Sequence, residues 1–234
     1  MGYFLATIFF IGFPICVATL IPLYFLSFFV PSVQKPADRI LLWGIALLMR
    51  VQPWFNSEIT IEIPPGGAML VSNHRSHLDA FVFLSNVRGV RILAKKTLFY
   101  VPLLGIMMKV TGQIPTQRGR LDSFWLAMQE IRKKLQAGET VHVFPEMTRC
   151  EPGFKGTQNF IAAPFLVAKE VGTPVIPVVI EGTDQAWPRG KFGLRPYRPI
   201  RVRTLPAIDP KDFASADALC LETKKRITEA LQWS

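Results

Sequence analysis

The spacing of hydrophobic and polar positions changes several times along this chain, and each change marks an element. Residues 3–30 carry no charged side chain. As a helix they span about 42 Å at ~1.5 Å per residue, longer than a ~30 Å hydrocarbon core. This predicts a membrane-anchoring helical segment, and Pro14 and Pro22 allow one kinked span or a re-entrant pair of short helices. Residues 39–51 are mostly apolar between arginines, too short to span, and suit an interfacial helix or ordinary core packing.

Residues 57–63 then alternate, with Ile59, Ile61 and Ile63 on one face and Glu58, Thr60 and Glu62 on the other, the period of a half-buried strand. Pro64, Pro65, Gly66 and Gly67 predict a hairpin into a second strand at 68–72, which runs without a spacer into a polar turn and a new helix. Further strands are expected at 91–95, 140–145, 174–181 and 200–205. Helices are expected at 98–109, interrupted near Pro102 and Gly105, and at 121–136, 157–171 and 215–231. In the 121–136 helix Leu121, Phe124, Trp125, Met128, Ile131 and Leu135 share one stripe, while Arg132, Lys133 and Lys134 sit near its C-terminal end.

Strands alternating with helices predict an α/β fold, a mixed and largely parallel sheet flanked by helices, with the hydrophobic anchoring segment in front. The expected division is 1–55 for the anchor and interfacial helix and 56–234 for a catalytic domain, one core of ordinary size.

Composition adds a direction. The formal net charge is +10, and every charged residue lies at or after Lys35, so the positive-inside tendency places the domain on the cytoplasmic face of a membrane, the inner membrane in a bacterium. Basic residues there attract anionic lipid and suit phosphate-bearing substrates. Nucleic acid is excluded as a partner by the anchor and by the lack of a zinc finger, an aromatic RNA-binding motif or a basic zipper. Three widely separated cysteines, Cys16, Cys150 and Cys220, argue for a reducing compartment and against a disulfide framework.

The chemistry gathers in loops that follow strands. The turn Asn73-His74-Arg75-Ser76-His77-Leu78-Asp79 places two of the three histidines within five residues of a carboxylate. A neutral imidazole is suited to take a proton near neutral pH, and a carboxylate on its other nitrogen fixes tautomer and orientation. Loops 113–120 and 146–153 bring Arg118, Arg120, Glu146 and Arg149, with Lys155 just beyond. Guanidinium groups match phosphate oxygens, and a carboxylate can bind a hydroxyl or orient an arginine. A base facing arginines suits a phosphorylated alcohol.

Two rivals are weaker. His74, His77 and Asp79 are too close in sequence to arrange easily around a metal, and no metal or other cofactor is expected. Ser72, Ser76 or Cys150 as covalent nucleophile lacks the Gly-x-Ser-x-Gly signature, leaving Cys150 beside Arg149 as the thiol to test.

The turn Asn73-His74-x-Ser76-x-x-Asp79 resembles the first motif of the glycerolipid acyltransferases, typified by the 1-acylglycerol-3-phosphate acyltransferases. Phe144-Pro145-Glu146-Met147-Thr148-Arg149-Cys150 is similar to that family's Phe-Pro-Glu-Gly-Thr-Arg-Ser motif, and residues 175–180 to its final Pro-containing strand. The resemblance covers about residues 60 to 185. It implies acyl transfer from an acyl thioester, acyl-coenzyme A or acyl-acyl carrier protein as co-substrate, to the free hydroxyl of a lysophospholipid, giving phosphatidate when the acceptor is 1-acylglycerol 3-phosphate. It also implies His74 as general base, Asp79 as its partner, and Asn73, Ser76, Arg118, Glu146, Thr148 and Arg149 as substrate-binding residues. Met147 for Gly, Cys150 for Ser and an altered second motif depart from the pattern. They leave open another lysolipid acceptor, a membrane-bound thioester hydrolase or an inactive lipid-binding protein.

Overall fold

The computed structural model describes residues 2–27, 29–50, 58–151, 153–190, 195 and 198–232. The boundary expected between 55 and 56 lies outside the described residues. Helix α1 (Gly2–Ser27) continues past Pro14 and Pro22, a single helix and not a pair of short ones. A 3₁₀ turn at Pro31–Val33 leads back into α2 (Gln34–Arg50). This helical hairpin is closed by polar groups: Tyr24 Oη donates to Asp38 Oδ1 at 3.1 Å, and Ser27 Oγ to Gln34 Oε1 at 3.0 Å. Side chains of α1 are described at 11, 12, 14, 15 and 18–27, and among the described residues no helix is long and apolar enough to cross a membrane.

The strands are β1 (Glu58–Thr60), β2 (Met69–Ser72), β3 (Arg91–Lys95), β4 (Ile114–Thr116), β5 (Val141–Val143), β6 (Val175–Glu181) and β7 (Arg201–Thr204). Among the described residues they form one seven-stranded sheet in the order β1-β7-β6-β2-β5-β3-β4. Strands β6, β2, β5, β3 and β4 are mutually parallel, β7 runs against β6, and β1 runs parallel to β7. The mixed, largely parallel sheet is therefore present, but the expected hairpin is not. β1 pairs with β7, and both β7 and β6 lie between it and β2. Pro64 and Pro65 bring no backbone donors to a ladder, and Gly66 and Gly67, at φ +91° and +80°, turn the chain toward the sheet centre. A Cβ on Gly67 would meet Gly138 O at 2.4 Å, so only glycine allows this approach.

Helices α3 (Leu78–Asn86), α4 (Leu104–Val110), α5 (Leu121–Gln136), α6 (Ala163–Val171), α7 (Thr183–Ala186) and α8 (Ala216–Gln232) complete the chain. The period-2 geometry of β2 divides the core. Leu70 joins Leu78, Val82, Phe83, Ile176 and Leu41 on the face covered by α2 and α3. Met69 and Val71 join Ile131, Leu135, Phe165, Leu219 and Ile227 on the face covered by α5, α6 and α8. Each fully buried side chain of this kind contributes about 1.5–3 kcal/mol. Burial on both faces explains why β2 and β6 read as unbroken apolar runs.

Two expectations shift at proline. β4, unexpected from the sequence, is a three-residue edge strand that accommodates an exposed Pro115. The helix expected from 157 begins at Ala163, with Pro164 in its first turn, the position where a missing N–H costs nothing.

Candidate active site

All five parallel strands end on the same edge of the sheet, so the loops after Ser72, Lys95, Thr116, Val143 and Glu181 emerge together. Adjacent β2 and β5 bring the turn 73–79 against the loop 144–150, and β6 closes the other side.

Asn73 is fully buried and bonds both ways with one residue of β6: Nδ2 donates to Ile180 O at 2.8 Å, and Ile180 N donates to Oδ1 at 2.9 Å. The chain is thus fixed immediately before His74. The Nδ1 of His74 lies 2.8 Å from Asp79 Oδ2. A carboxylate accepts, so Nδ1 carries the hydrogen and Nε2 holds the free lone pair. The imidazole stacks on Phe144, with ring centroids 3.9 Å apart and planes 23° apart, and its side chain retains 19% exposure while Asp79 has none.

Asp79 also shapes the turn that presents the histidine. Its Oδ2 accepts from the backbone N–H groups of Arg75 at 2.7 Å and Ser76 at 2.8 Å, while buried Oδ1 has no partner among the described residues. Ser76 Oγ donates to Trp187 O at 2.8 Å and accepts from Leu78 N at 3.3 Å, tying the turn to the chain after α7. Arg75 reaches across to the Phe154 and Gly156 carbonyls and pairs with Asp184 at 3.8 Å.

Glu146 is 5% exposed. Its Oε1 accepts from His74 N at 2.9 Å, and its Oε2 from Cys150 Sγ and from Gln158 N, each at 3.0 Å. Met147 adopts φ +54°, the left-handed region in which the resembling motif carries glycine. The loop thus adopts a glycine-like turn without glycine, at roughly 1–2 kcal/mol of strain. Burial first, then the Glu146 carboxylate, pushes the Cys150 thiol up to about 11. A thiol held protonated in this way is a poor nucleophile, which argues against the covalent reading.

Thr148 and Arg149, on the same loop, are half-buried. Burial lowers the proton affinity of Arg149, nearby Arg189 lowers it further, and Asp79 opposes both. Arg189 itself donates to Arg149 O at 2.6 Å and pairs with Glu151 at 2.8 Å. Arg118 is exposed on the loop after β4, three strands and about 14 Å from β2 at the usual strand spacing. The structure therefore joins His74, Asp79, Glu146 and Arg149 in one site and leaves Arg118 on its rim.

His77 reaches solvent and lies beside Trp187, with ring centroids 5.2 Å apart. Desolvation, then Arg149 and His74, hold it down to about 4, against Asp79. His142 is wholly buried beneath the site, 2.9 Å from Ser72 Oγ and stacked on Phe83, and burial keeps it well below its ordinary value. Among the described residues no group of three or more His, Cys, Asp or Glu side chains is placed to hold a metal ion.

Sequence reasoning missed Arg189, Trp187 and Gln158. Only the position of Trp187 and Arg189 in a polar stretch after the last parallel strand offered a signal. Gln158 holds Glu146 through its main chain, which no residue type reports.

A family model described as Acyltransferase matches residues 55–181, over half of the chain. A chloroplastic 1-acyl-sn-glycerol-3-phosphate acyltransferase of Arabidopsis thaliana is 31% identical over 164 residues, covering 70% of this chain and 45% of that protein. The 1-acyl-sn-glycerol-3-phosphate acyltransferase of Haemophilus influenzae is 27% identical over 194 residues, 77% of this chain and 78% of its own. The chain spans about half the length of the plant and algal curated relatives it matches. The crystal structure of the 1-acyl-sn-glycerophosphate acyltransferase PlsC from Thermotoga maritima shares the fold. Its TM-score is 0.75 at 24% identity, covering 99% of this chain and 95% of that one. The shared α/β sheet and the matched stretch, which carries both the His74 turn and the Glu146 loop, lead to one conclusion: the chain belongs to the acyltransferase family.

Proposed function

We propose that the protein transfers an acyl chain from an acyl thioester to the free hydroxyl of 1-acylglycerol 3-phosphate, giving phosphatidate. The observation that carries this reading is the 2.8 Å contact between His74 Nδ1 and Asp79 Oδ2, which leaves Nε2 as the free base on the open side of the sheet edge. The names of the Arabidopsis and Haemophilus relatives support the acceptor.

Nε2 takes the acceptor hydroxyl proton as the oxygen attacks the thioester carbonyl carbon. The C–O bond forms, the carbonyl electrons move to oxygen, and collapse of this tetrahedral adduct breaks the C–S bond. The imidazolium then protonates the departing thiolate, so the base is regenerated and no metal or cofactor enters the balance. General acid–base help of this kind is worth about 10²–10⁴ in rate. Arg149, half-buried and with no carboxylate bonded to its guanidinium among the described residues, is the group for the acceptor phosphate, with Thr148 beside it. Coenzyme A and acyl carrier protein are both admissible donors, and Arg118 on the rim suits the phosphates of either.

The α1–α2 hairpin is the proposed anchor. The uncharged 3–30 stretch and the outward-facing Ile11, Ile15, Phe25, Phe29 and Trp43 support it, as does the confinement of every charge to residues at or after Lys35. The catalytic domain then lies against the cytoplasmic face with its substrates in reach.

The test is a donor and acceptor matrix with purified protein in detergent: labelled acyl-coenzyme A and acyl-acyl carrier protein, each with several lysophospholipids and with none. Phosphatidate formed only with 1-acylglycerol 3-phosphate is the expected result. Free fatty acid without acceptor would replace the transferase with a hydrolase, and bound lysolipid without turnover would replace it with a binding protein.

A further inference from the structure

The His74 peptide is held on both sides by one loop. Its N–H donates to Glu146 Oε1 at 2.9 Å, and its C=O accepts from Cys150 N at 2.8 Å. Cys150 Sγ then donates to Glu146 Oε2 at 3.0 Å, which closes a ring of three hydrogen bonds through His74, Glu146 and Cys150. The Gln158 N–H adds a second donor to Oε2, so both carboxylate oxygens are engaged and Glu146 is 5% exposed. We propose that Glu146 and Cys150 are positioning residues that clasp the His74 peptide and set its imidazole between Phe144 and Asp79, and that Glu146 does not touch the acyl acceptor. This rests on the reading of His74 as general base.

The physical need is plain. His74 lies past the last β2 residue, Ser72, so no sheet ladder satisfies its N–H or C=O. Glu146 and Cys150 take that place, and they do so from the loop that follows β5, the strand next to β2. The side chain is fixed separately by Asp79 and by the stack on Phe144, so the clasp supplies the missing constraint at the main chain. A thiol serves as donor as long as it stays protonated, and burial with the neighbouring carboxylate keeps it so. A serine hydroxyl makes the same bond with a shorter reach, which accounts for cysteine standing where the resembling motif has serine. Three of the roughly four acceptor sites of the Glu146 carboxylate are filled from within the protein, and at 5% exposure the carboxylate is turned toward those donors and not toward solvent.

The test compares Glu146→Gln, Cys150→Ala and Cys150→Ser with the wild-type full chain in detergent. Two readouts are needed: kcat with the acceptor KM, and the Nδ1–H signal of 15N-histidine-labelled protein, assigned with His74→Ala. Glutamine turns an N–H₂ toward one of three donors, so Glu146→Gln is expected to lose about 10²-fold or more in kcat with acceptor KM within about threefold, and to shift or lose the His74 signal. Cys150→Ala should lose about tenfold in kcat, and Cys150→Ser should return both readouts close to wild type. An acceptor KM raised tenfold or more in Glu146→Gln, with kcat and the His74 signal unchanged, would overturn the proposal. So would a Cys150→Ala protein indistinguishable from wild type. Should Glu146→Gln not fold, the alanine and serine pair at 150 still decides. If the wild type transfers no acyl chain, the functional reading fails on its own, while movement of the His74 signal in the variants still tests the clasp.

Discussion

Arg189 donates to the carbonyl oxygen of Arg149 at 2.6 Å, so one guanidinium holds the main chain of the residue whose own guanidinium it repels. Arg189 has Glu151 to offset its charge, whereas Arg149 is half-buried without such a partner among the described residues. A partly desolvated cation left unpaired gains most from an incoming anion. Removing Arg149 should therefore act on the phosphorylated acceptor. Arg149→Ala is expected to raise the KM for 1-acylglycerol 3-phosphate by about 10–150-fold, the equivalent of the ~1.5–3 kcal/mol of a charged hydrogen bond. Arg149→Glu should be worse, and the donor KM should stay near wild type. Steady-state kinetics with each substrate varied in turn checks the split.

Acid should weaken the fold through its histidines. His77 is held to about 4 against its usual 6.5, and His142 is also lowered. Below about pH 6.5 the unfolded chain binds protons that the folded chain refuses, down to about pH 4 for His77. Their contribution to stability is complete above about 6.5 and declines as pH falls through that window. Denaturant titrations at pH 7, 6, 5 and 4 should show a falling midpoint. His142→Phe, which keeps the stack on Phe83, and His77→Gln should each flatten the fall, and an unchanged slope in both would contradict the assignment.

Met147 provides a backbone test. At φ +54° a β-branched residue fits worse than methionine, so Met147→Val should destabilise by about 1–2 kcal/mol. Glycine releases the strain but gives up the contacts of a half-buried side chain, so Met147→Gly should stay within about 1 kcal/mol of wild type. Equilibrium unfolding of the three proteins measures both values.

These features were unequally legible in the sequence. The strand, turn and helix around His74 could be read because β2 is apolar on both faces and the polar run begins at its last residue. The pairing of β1 was not legible, because alternation tells which face is buried and nothing about which strand lies alongside. β4 was hidden by Pro115, which an edge strand tolerates and a central one does not. Within the site, His74 and Asp79 stood out because an imidazole and a carboxylate in one turn have few other uses. The burial of Asn73 and Glu146 was invisible, since their partners at Ile180, His74 and Gln158 are backbone groups. Arg189 was missed because its closeness to Arg149 depends on how the chain returns after β6.

The central claim is that His74 is the base of an acyl transfer. The most direct measurement is turnover of labelled acyl thioester with 1-acylglycerol 3-phosphate by His74→Ala, beside wild type, with folding of both verified by circular dichroism and thermal unfolding. A loss of about 10²–10⁴ in kcat with the fold retained is the predicted result. Wild-type turnover by a folded His74→Ala protein would contradict the account.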